Sequence, residues 1–396
     1  MFGRKRSFAS LTGILVIGII FFPGLPATWT AAAAESAPIK IGALLPLTGP
    51  LLHEGPKVKN GIELALDDAG WQVGGRKIEL IVEDSATNPT TSLDKARKLV
   101  ERDKVVAIIG PQHSGVVNAI QPYINKNKVI NLKSMDFPKD LIAKYPYLIV
   151  LNGTHKQTTS TGGWYAYDKL GHRKVSTIGP DFIAGREKIA GFVEAFQERG
   201  GTVVQQQWYP ITCVDFAPYL ANLSEADALV AWVTGPGVMR LIPQFHDYKM
   251  AERMPMVAAF ASSILDEDVL PQLGDKALGM YGASAYASTI DNPQNKRLVD
   301  TFMKKHGKRP NDCAVIGGYM NVYVLLEAIK AAGGETDPEK LRKTILGLKL
   351  KNTPIGSLSF TPEGAGILNI LIIKVAKDGG EYFWQVADVY PDAQPR

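Results

Sequence analysis

The stretch KVSTIGPDFIAGREKIAGFVEAFQER, residues 174–199, decides the fold. Lys174 to Ile178 reads as a short apolar strand, and Gly179, Pro180 and Asp181 as the turn that ends it. Ile183 to Arg199 then has the apolar spacing of a helix. The same unit recurs in both directions. Upstream, strands at Ile39 to Leu45, Lys77 to Glu83, Val105 to Ile109 and Val129 to Leu132 alternate with helices at Gly61 to Ala69, Thr90 to Arg102 and Val116 to Ile124. After Leu148 to Leu151 the pattern restarts with a helix over Lys156 to Leu170. Beyond the quoted stretch come strands at Thr202 to Trp208, Ala228 to Trp232 and Pro255 to Ala259, separated by helices at Phe216 to Leu223 and Val238 to Tyr248. Alternation of this kind predicts parallel sheets with helices on both faces.

Two successive runs predict two doubly wound α/β lobes. The remainder comprises helices at Asn295 to His306 and Ala314 to Ala332, a short helix from Pro338 and a strand at Asn369 to Val375. That is too little for a third domain. It is expected to complete the first two sheets, with the chain crossing between lobes more than once.

The N-terminus has another character. Arg4, Lys5 and Arg6 precede an apolar run from Leu11 to Leu25, then Pro26 and the small-residue tract Ala31 to Ala34. Basic, apolar and small segments in that order predict a signal peptide over residues 1–34, cleaved after Ala34, and hence a periplasmic protein. Loss of its three positive charges takes the formal net charge from +5 to +2. A near-neutral chain with scattered basic residues lacks the electrostatic footprint of a nucleic-acid binder. The remaining length, about 360 residues, exceeds what one core usually supports, in keeping with two lobes.

Catalytic equipment is not visible. The six histidines form no HxxxH-type pair, and neither GxSxG nor GxxxxGK[ST] occurs. The turn Gly179 to Gly185 lacks the spacing of a dinucleotide loop. No catalytic residue, metal site or cofactor is expected. Cys213 and Cys313 are open to two readings, a disulfide or two separate thiols.

Open parallel sheets bind ligands beyond the carboxyl ends of their strands. The loops there are 46–55, 110–115, 133–138, 179–185, 234–237 and 260–263, rich in Gly, Ser, Thr and aromatics. Backbone NH groups and hydroxyls at helix N-termini suit an anion such as a carboxylate.

At these loops the chain resembles the type I periplasmic binding proteins, in the branch of the leucine/isoleucine/valine-binding protein. The likeness is carried by Ile41-Gly-Ala-Leu-Leu-Pro-Leu-Thr-Gly49, Val106-Ala-Ile-Ile-Gly-Pro111 with Ser114, and Asp181-Phe-Ile-Ala-Gly-Arg186. Asp215-Phe216, Tyr319 and Ile355-Gly-Ser-Leu-Ser-Phe360 complete it. The resemblance implies two lobes joined by a three-crossover hinge, roughly 38–155 plus 286–367 and 156–285 plus 368–396. It also implies a monomer that closes on a small molecule and delivers it to the permease of an ABC importer.

In the amino-acid binders of that family, first-lobe hydroxyls and NH groups hold the ligand carboxylate and a second-lobe acid holds its ammonium. The resemblance places Ser114 at the hydroxyl position, where it could equally be a helix N-cap. It places Ser134-Met135-Asp136 in the matching loop, with Asp136 readable as an N-cap before Pro138. His113 is either an anion or pH contact or a capping residue. Asp181 and Asp215 read as turn or cap residues.

The departures carry more information. Phe260 stands where the amino-acid binders place the ammonium-binding acid, Ala184 where many place a tyrosine, and Thr234 at a position often aromatic. If the alignment slips, Asp266 or Glu267 reaches the cleft instead. An ammonium buried without a carboxylate is costly, so such a pocket should reject free amino acids. Phe182, Phe260, Tyr286 and Trp232 are then candidate walls, or else ordinary core residues. Glu54 sits poorly with an anionic ligand and reads as a solvated lid residue. The expectation is an apolar, aromatic carboxylate; the alternatives are a branched-chain amino acid, an amide or urea, or a ligand sensor for a membrane receptor.

Overall fold

The computed structural model describes residues 37–262 and 264–396, with Gly3 and Gly13 before them. The signal-peptide expectation and Ser263 therefore lie outside the described residues. Ala37 to Arg396 forms one compact unit.

Its first sheet contains β1 (Ile39–Leu45), β2 (Gln72–Val73), β3 (Arg76–Asp84), β4 (Ala107–Ile109), β5 (Ile130–Leu132) and β6 (Leu148–Ile149), in the order β2-β3-β1-β4-β5-β6. All pairs are parallel except β2 with β3. The second sheet holds β7 (Lys174–Pro180), β8 (Thr202–Tyr209), β9 (Ala228–Ala231), β10 (Met256–Ala258) and β11 (Tyr281–Ser284), all parallel. Antiparallel strands extend it: β12 (Leu350–Thr353), β13 (Gly356–Phe360), β14 (Gly366–Asp378) and β15 (Glu381–Ala393), the last paired to β14.

The parallel strands are near-continuous apolar runs because helices cover both faces; Ala228 to Ala231 is fully buried. By contrast β15 lay beyond the reach of an apolar-pattern reading. Of its residues only Trp384 is buried, so its sequence carries no continuous run.

A close helix pair sets one wall of the cleft. The helix Gly55–Asp68 lies against the segment Asp312–Ala331, and a Cβ on Gly61 would come within 1.8 Å of the Ala314 carbonyl oxygen. Only glycine permits this approach. Residues 312–331 are long and apolar enough to cross a membrane, yet they are mostly buried against the rest of the protein, as a core helix is. Residues 315–320 within it are π-helical, which re-aims the turn that carries Asp312 and Cys313.

Candidate functional site

The carboxyl ends of both sheets face one cavity with an empty volume of ≈ 450 Å³. The turns after β1, β4, β5 and β6 deliver Leu51, Glu54, Gln112, His113, Ser114, Lys133, Met135, Asp136 and His155. From the second sheet, the segments after β7, β9 and β10 bring Phe182, Ala184, Lys188, Trp232, Thr234, Phe260 and Ser262; Cys313 closes the wall. Gly110, with φ +92, makes the turn out of β4 possible, since a Cβ there would meet the Leu44 carbonyl oxygen at 2.3 Å.

The centre of the cavity is charged and buried. Lys188 donates to Asp136 across the two sheets, and both are buried. His155 Nε2 lies 3.6 Å from the second Asp136 oxygen. Burial pushes the Asp136 pKa up, but Lys188, His155 and Lys133 together hold it below the ordinary carboxylate value. Burial draws Lys188 down while Asp136 opposes the shift. With its pKa held low, Asp136 carries its charge at neutral pH.

Lys133, also buried, donates to the carbonyls of Gln112 (3.0 Å) and Met135 (3.2 Å). Burial, with Asp136 opposing and Lys188 assisting, lowers its pKa to about 7. His155 is drawn to about 3 by burial, and His113 to about 4 by burial and Lys133, so both rings are neutral. Around these charges stands an aromatic wall. His113 stacks on Phe182 at 5.0 Å between centroids, and Phe182 lies 5.9 Å from Trp232. The Lys188 ammonium sits 3.6 Å over the Phe260 ring and 5.3 Å from that of Trp232, a favourable cation–π arrangement.

Several buried polar atoms of the lining have no hydrogen-bond partner: Ser114 Oγ, Gln112 Oε1, His155 Nδ1 and Trp232 Nε1. Buried polar groups normally find partners, so a cluster of open ones in a cavity suits a ligand.

Seven of the nine candidate residues line this cavity: His113, Ser114, Met135, Phe182, Ala184, Thr234 and Phe260. Ser134 and Tyr286 do not. Ser134 is buried beside Gly317, and the Tyr286 hydroxyl donates to Asn295 Oδ1 at 2.9 Å inside the core. His113, and not Ser114, is the N-cap of the helix Ser114–Lys126, its ring accepting from the Val116 NH at 3.4 Å. That leaves the Ser114 hydroxyl free for another partner.

Asp136 caps nothing, because the helix Lys139–Lys144 begins at Pro138 without a side-chain cap. Glu54 is no solvated lid: it is buried and accepts from Gln112 Nε2 (3.1 Å) and Thr234 Oγ1 (3.0 Å). Asp266 and Glu267 do not line the cavity. Asp266 pairs with Lys57 at 2.9 Å, and Glu267 accepts from Ser288 at 2.9 Å. The two cysteines are free thiols, with Cys313 buried.

Lys133, Lys188, Gln112 and His155 escaped the sequence reading. For Lys188 a signal existed: it lies four residues after Ala184, one turn along the same helix face. Among the described residues no cluster of His, Cys, Asp and Glu could hold a metal.

A cleft at the carboxyl ends of two sheets, lined from both sides, is where folds of this kind bind a small molecule. The chain belongs to the periplasmic binding protein family, which matches residues 38–380. It is the solute-binding protein of an ABC transporter and not an enzyme.

One curated relative is the Leu/Ile/Val-binding protein homolog 6 of Brucella melitensis, 27% identical over 362 residues, covering 89% of this chain and 92% of that protein. The ABC transporter substrate-binding protein from Sphaerobacter thermophilus superposes with a TM-score of 0.84 at 32% identity, covering 90% of this chain and 99% of that one. A solute binding protein of an ABC transporter from Rhodopseudomonas palustris BisB5, solved in complex with 3,4-dihydroxy benzoic acid, does so at 0.84 and 29% identity, covering 90% and 98%.

Proposed function

We propose that the cavity captures an apolar, aromatic carboxylate. The observation that carries this reading is the Lys188 ammonium lying over the Phe260 ring, where an amino-acid binder needs an acid. An ammonium has three N–H donors, and Asp136 takes one. The others, with Ser114 Oγ and Trp232 Nε1, form a donor set suited to a carboxylate. Phe182, Trp232 and Phe260 supply flat apolar surface for a ring. The dihydroxybenzoate in the Rhodopseudomonas relative supports the same chemistry.

Glu54 favours a second reading, because a buried carboxylate in the lining could hold the ammonium of a free amino acid. It already accepts from Gln112 and Thr234 and has Lys188 on the same cavity wall, which weighs against that role.

Isothermal titration with benzoate and with leucine separates the two. Benzoate is expected to bind in the micromolar range, about −8 kcal/mol. Binding of leucine without benzoate would overturn the aromatic reading.

The role in transport implies that residues 1–34 direct export, that the monomer closes its two lobes about the ligand by hinge motion, and that a membrane permease receives it. The first lobe would comprise 38–155 plus 286–367, the second 156–285 plus 368–396. Exported protein whose mass still included residues 1–34, or a radius of gyration unchanged on ligand saturation, would refute the corresponding part.

A further inference from the structure

Besides His155 Nδ1, on a ring that lies beside the ion pair, three open polar atoms of the cavity are of two kinds. Ser114 Oγ and Trp232 Nε1 can donate, whereas Gln112 Oε1 can only accept. A carboxylate offers nothing to an acceptor. A ligand that satisfies all three must carry a donor as well as an anion.

The orientation of Gln112 is set by its neighbour. Its Nε2 donates to Glu54 Oε2 at 3.1 Å, with Cys313 Sγ 3.8 Å away on the same nitrogen. Reversing the amide would turn its oxygen onto the Glu54 carboxylate, so the free end of the side chain is the carbonyl. The residue is anchored from behind as well, because Lys133 Nζ donates to the Gln112 backbone carbonyl at 3.0 Å. A side chain held at both ends is pre-organised for its ligand. Donation to a carboxylate also polarises the amide and makes its oxygen a stronger acceptor. The negative charge of Glu54 repels a second anion at this side, which leaves the carboxylate to Lys188 and a neutral donor to Gln112.

We propose, building on the aromatic-carboxylate reading, that Gln112 forms a second polar subsite for a hydroxyl or amino group on the ligand ring. The preferred ligand is therefore a hydroxy- or amino-substituted aromatic carboxylate, held at one end by charge and at the other by the Gln112 carbonyl. An unsubstituted ring would leave the buried carbonyl unpaired. Sites built to bind a ligand hydroxyl discriminate strongly against analogues that lack it.

Titration calorimetry on the full mature chain tests this with benzoate, 3- and 4-hydroxybenzoate, 4-aminobenzoate and 4-methoxybenzoate. At least one hydroxyl or amino ligand is expected to bind about 10-fold or more tighter than benzoate, while the methoxy ether, which cannot donate, gains nothing. In Gln112→Met the ratio between the hydroxyl ligand and benzoate should fall to about one, whatever happens to overall affinity. Gln112→Leu, which also removes the carbonyl, provides the same ratio should the methionine variant fail to fold. Equal wild-type affinities for benzoate and its hydroxyl derivatives would overturn the subsite and leave the carboxylate reading standing. A ratio that survives in Gln112→Met would also overturn it. Failure of every aromatic carboxylate to bind would overturn both.

Discussion

Two cavities flank β10 and β11 at opposite ends, and among the described residues the smaller is the one lined by buried polar atoms without partners. At the amino ends lies a groove with an empty volume of ≈ 900 Å³, lined by Ile242, Phe245, Met254, Met256, Leu278 and Met280. At the carboxyl ends lies the cleft of ≈ 450 Å³. Two polar groups of the groove are engaged: His246 contacts the Lys276 carbonyl at 2.9 Å, and Asp275 accepts from Lys377 (2.9 Å) and Tyr382 (2.6 Å). In the cleft, buried donors and acceptors stand open beside a buried ion pair. The contrast teaches that volume is a poor guide to a binding site. Desolvated polar groups kept without partners are a better one, because holding them in that state is costly unless something binds there.

The largest effect expected concerns stability. Asp136→Ala would leave the Lys188 ammonium buried and uncompensated, and should cost about 3–5 kcal/mol. Breaking the exposed Asp181–Arg186 pair near the start of the same helix with Asp181→Ala should cost under about 1 kcal/mol. Denaturant midpoints measure both, and equal losses would show that the cleft pair is solvated.

Next comes affinity. Lys188→Met combined with Asp136→Asn removes the charge without stranding its partner, and should weaken benzoate binding by about 10- to 150-fold, the loss of a charge-assisted contact worth about 1.5–3 kcal/mol. Lys276→Ala in the groove should change it less than about 2-fold. The reverse pattern in calorimetry would move the site to the groove.

The smallest effect is on pH. Burial lowers the Lys133 pKa to about 7, and an anion nearby favours its charged form. The complex then binds more protons than the free protein, so affinity should fall as pH rises from about 7 to 9, by less than 10-fold per unit. Lys133→Met should flatten that slope, and a slope that persists in the variant would assign it elsewhere.

Much of this molecule was legible from one sequence. The parallel strands announce themselves because sheets covered on both faces need unbroken apolar runs, as at Ala228 to Ala231. Phe182, Phe260 and Ser114 could be placed at the cleft because loops after parallel strands share one end of a sheet. The C-terminal ribbon was only half visible, since β15 buries only Trp384. Tyr286 misled because position after a strand does not say whether a side chain turns to the cleft or, as here, to Asn295 in the core.

What the sequence determined by itself was the class of fold, two runs of alternating strand and helix. That follows from local pattern and order along the chain. Only the tertiary structure brought the charged groups of the cleft together. Asp136 and Lys188 are 52 residues apart in the chain and belong to different sheets, each unremarkable as a cap or a helix-surface residue. Their burial as a pair arises when two separately folded surfaces close over them, because low dielectric makes a charge there costly unless a partner meets it.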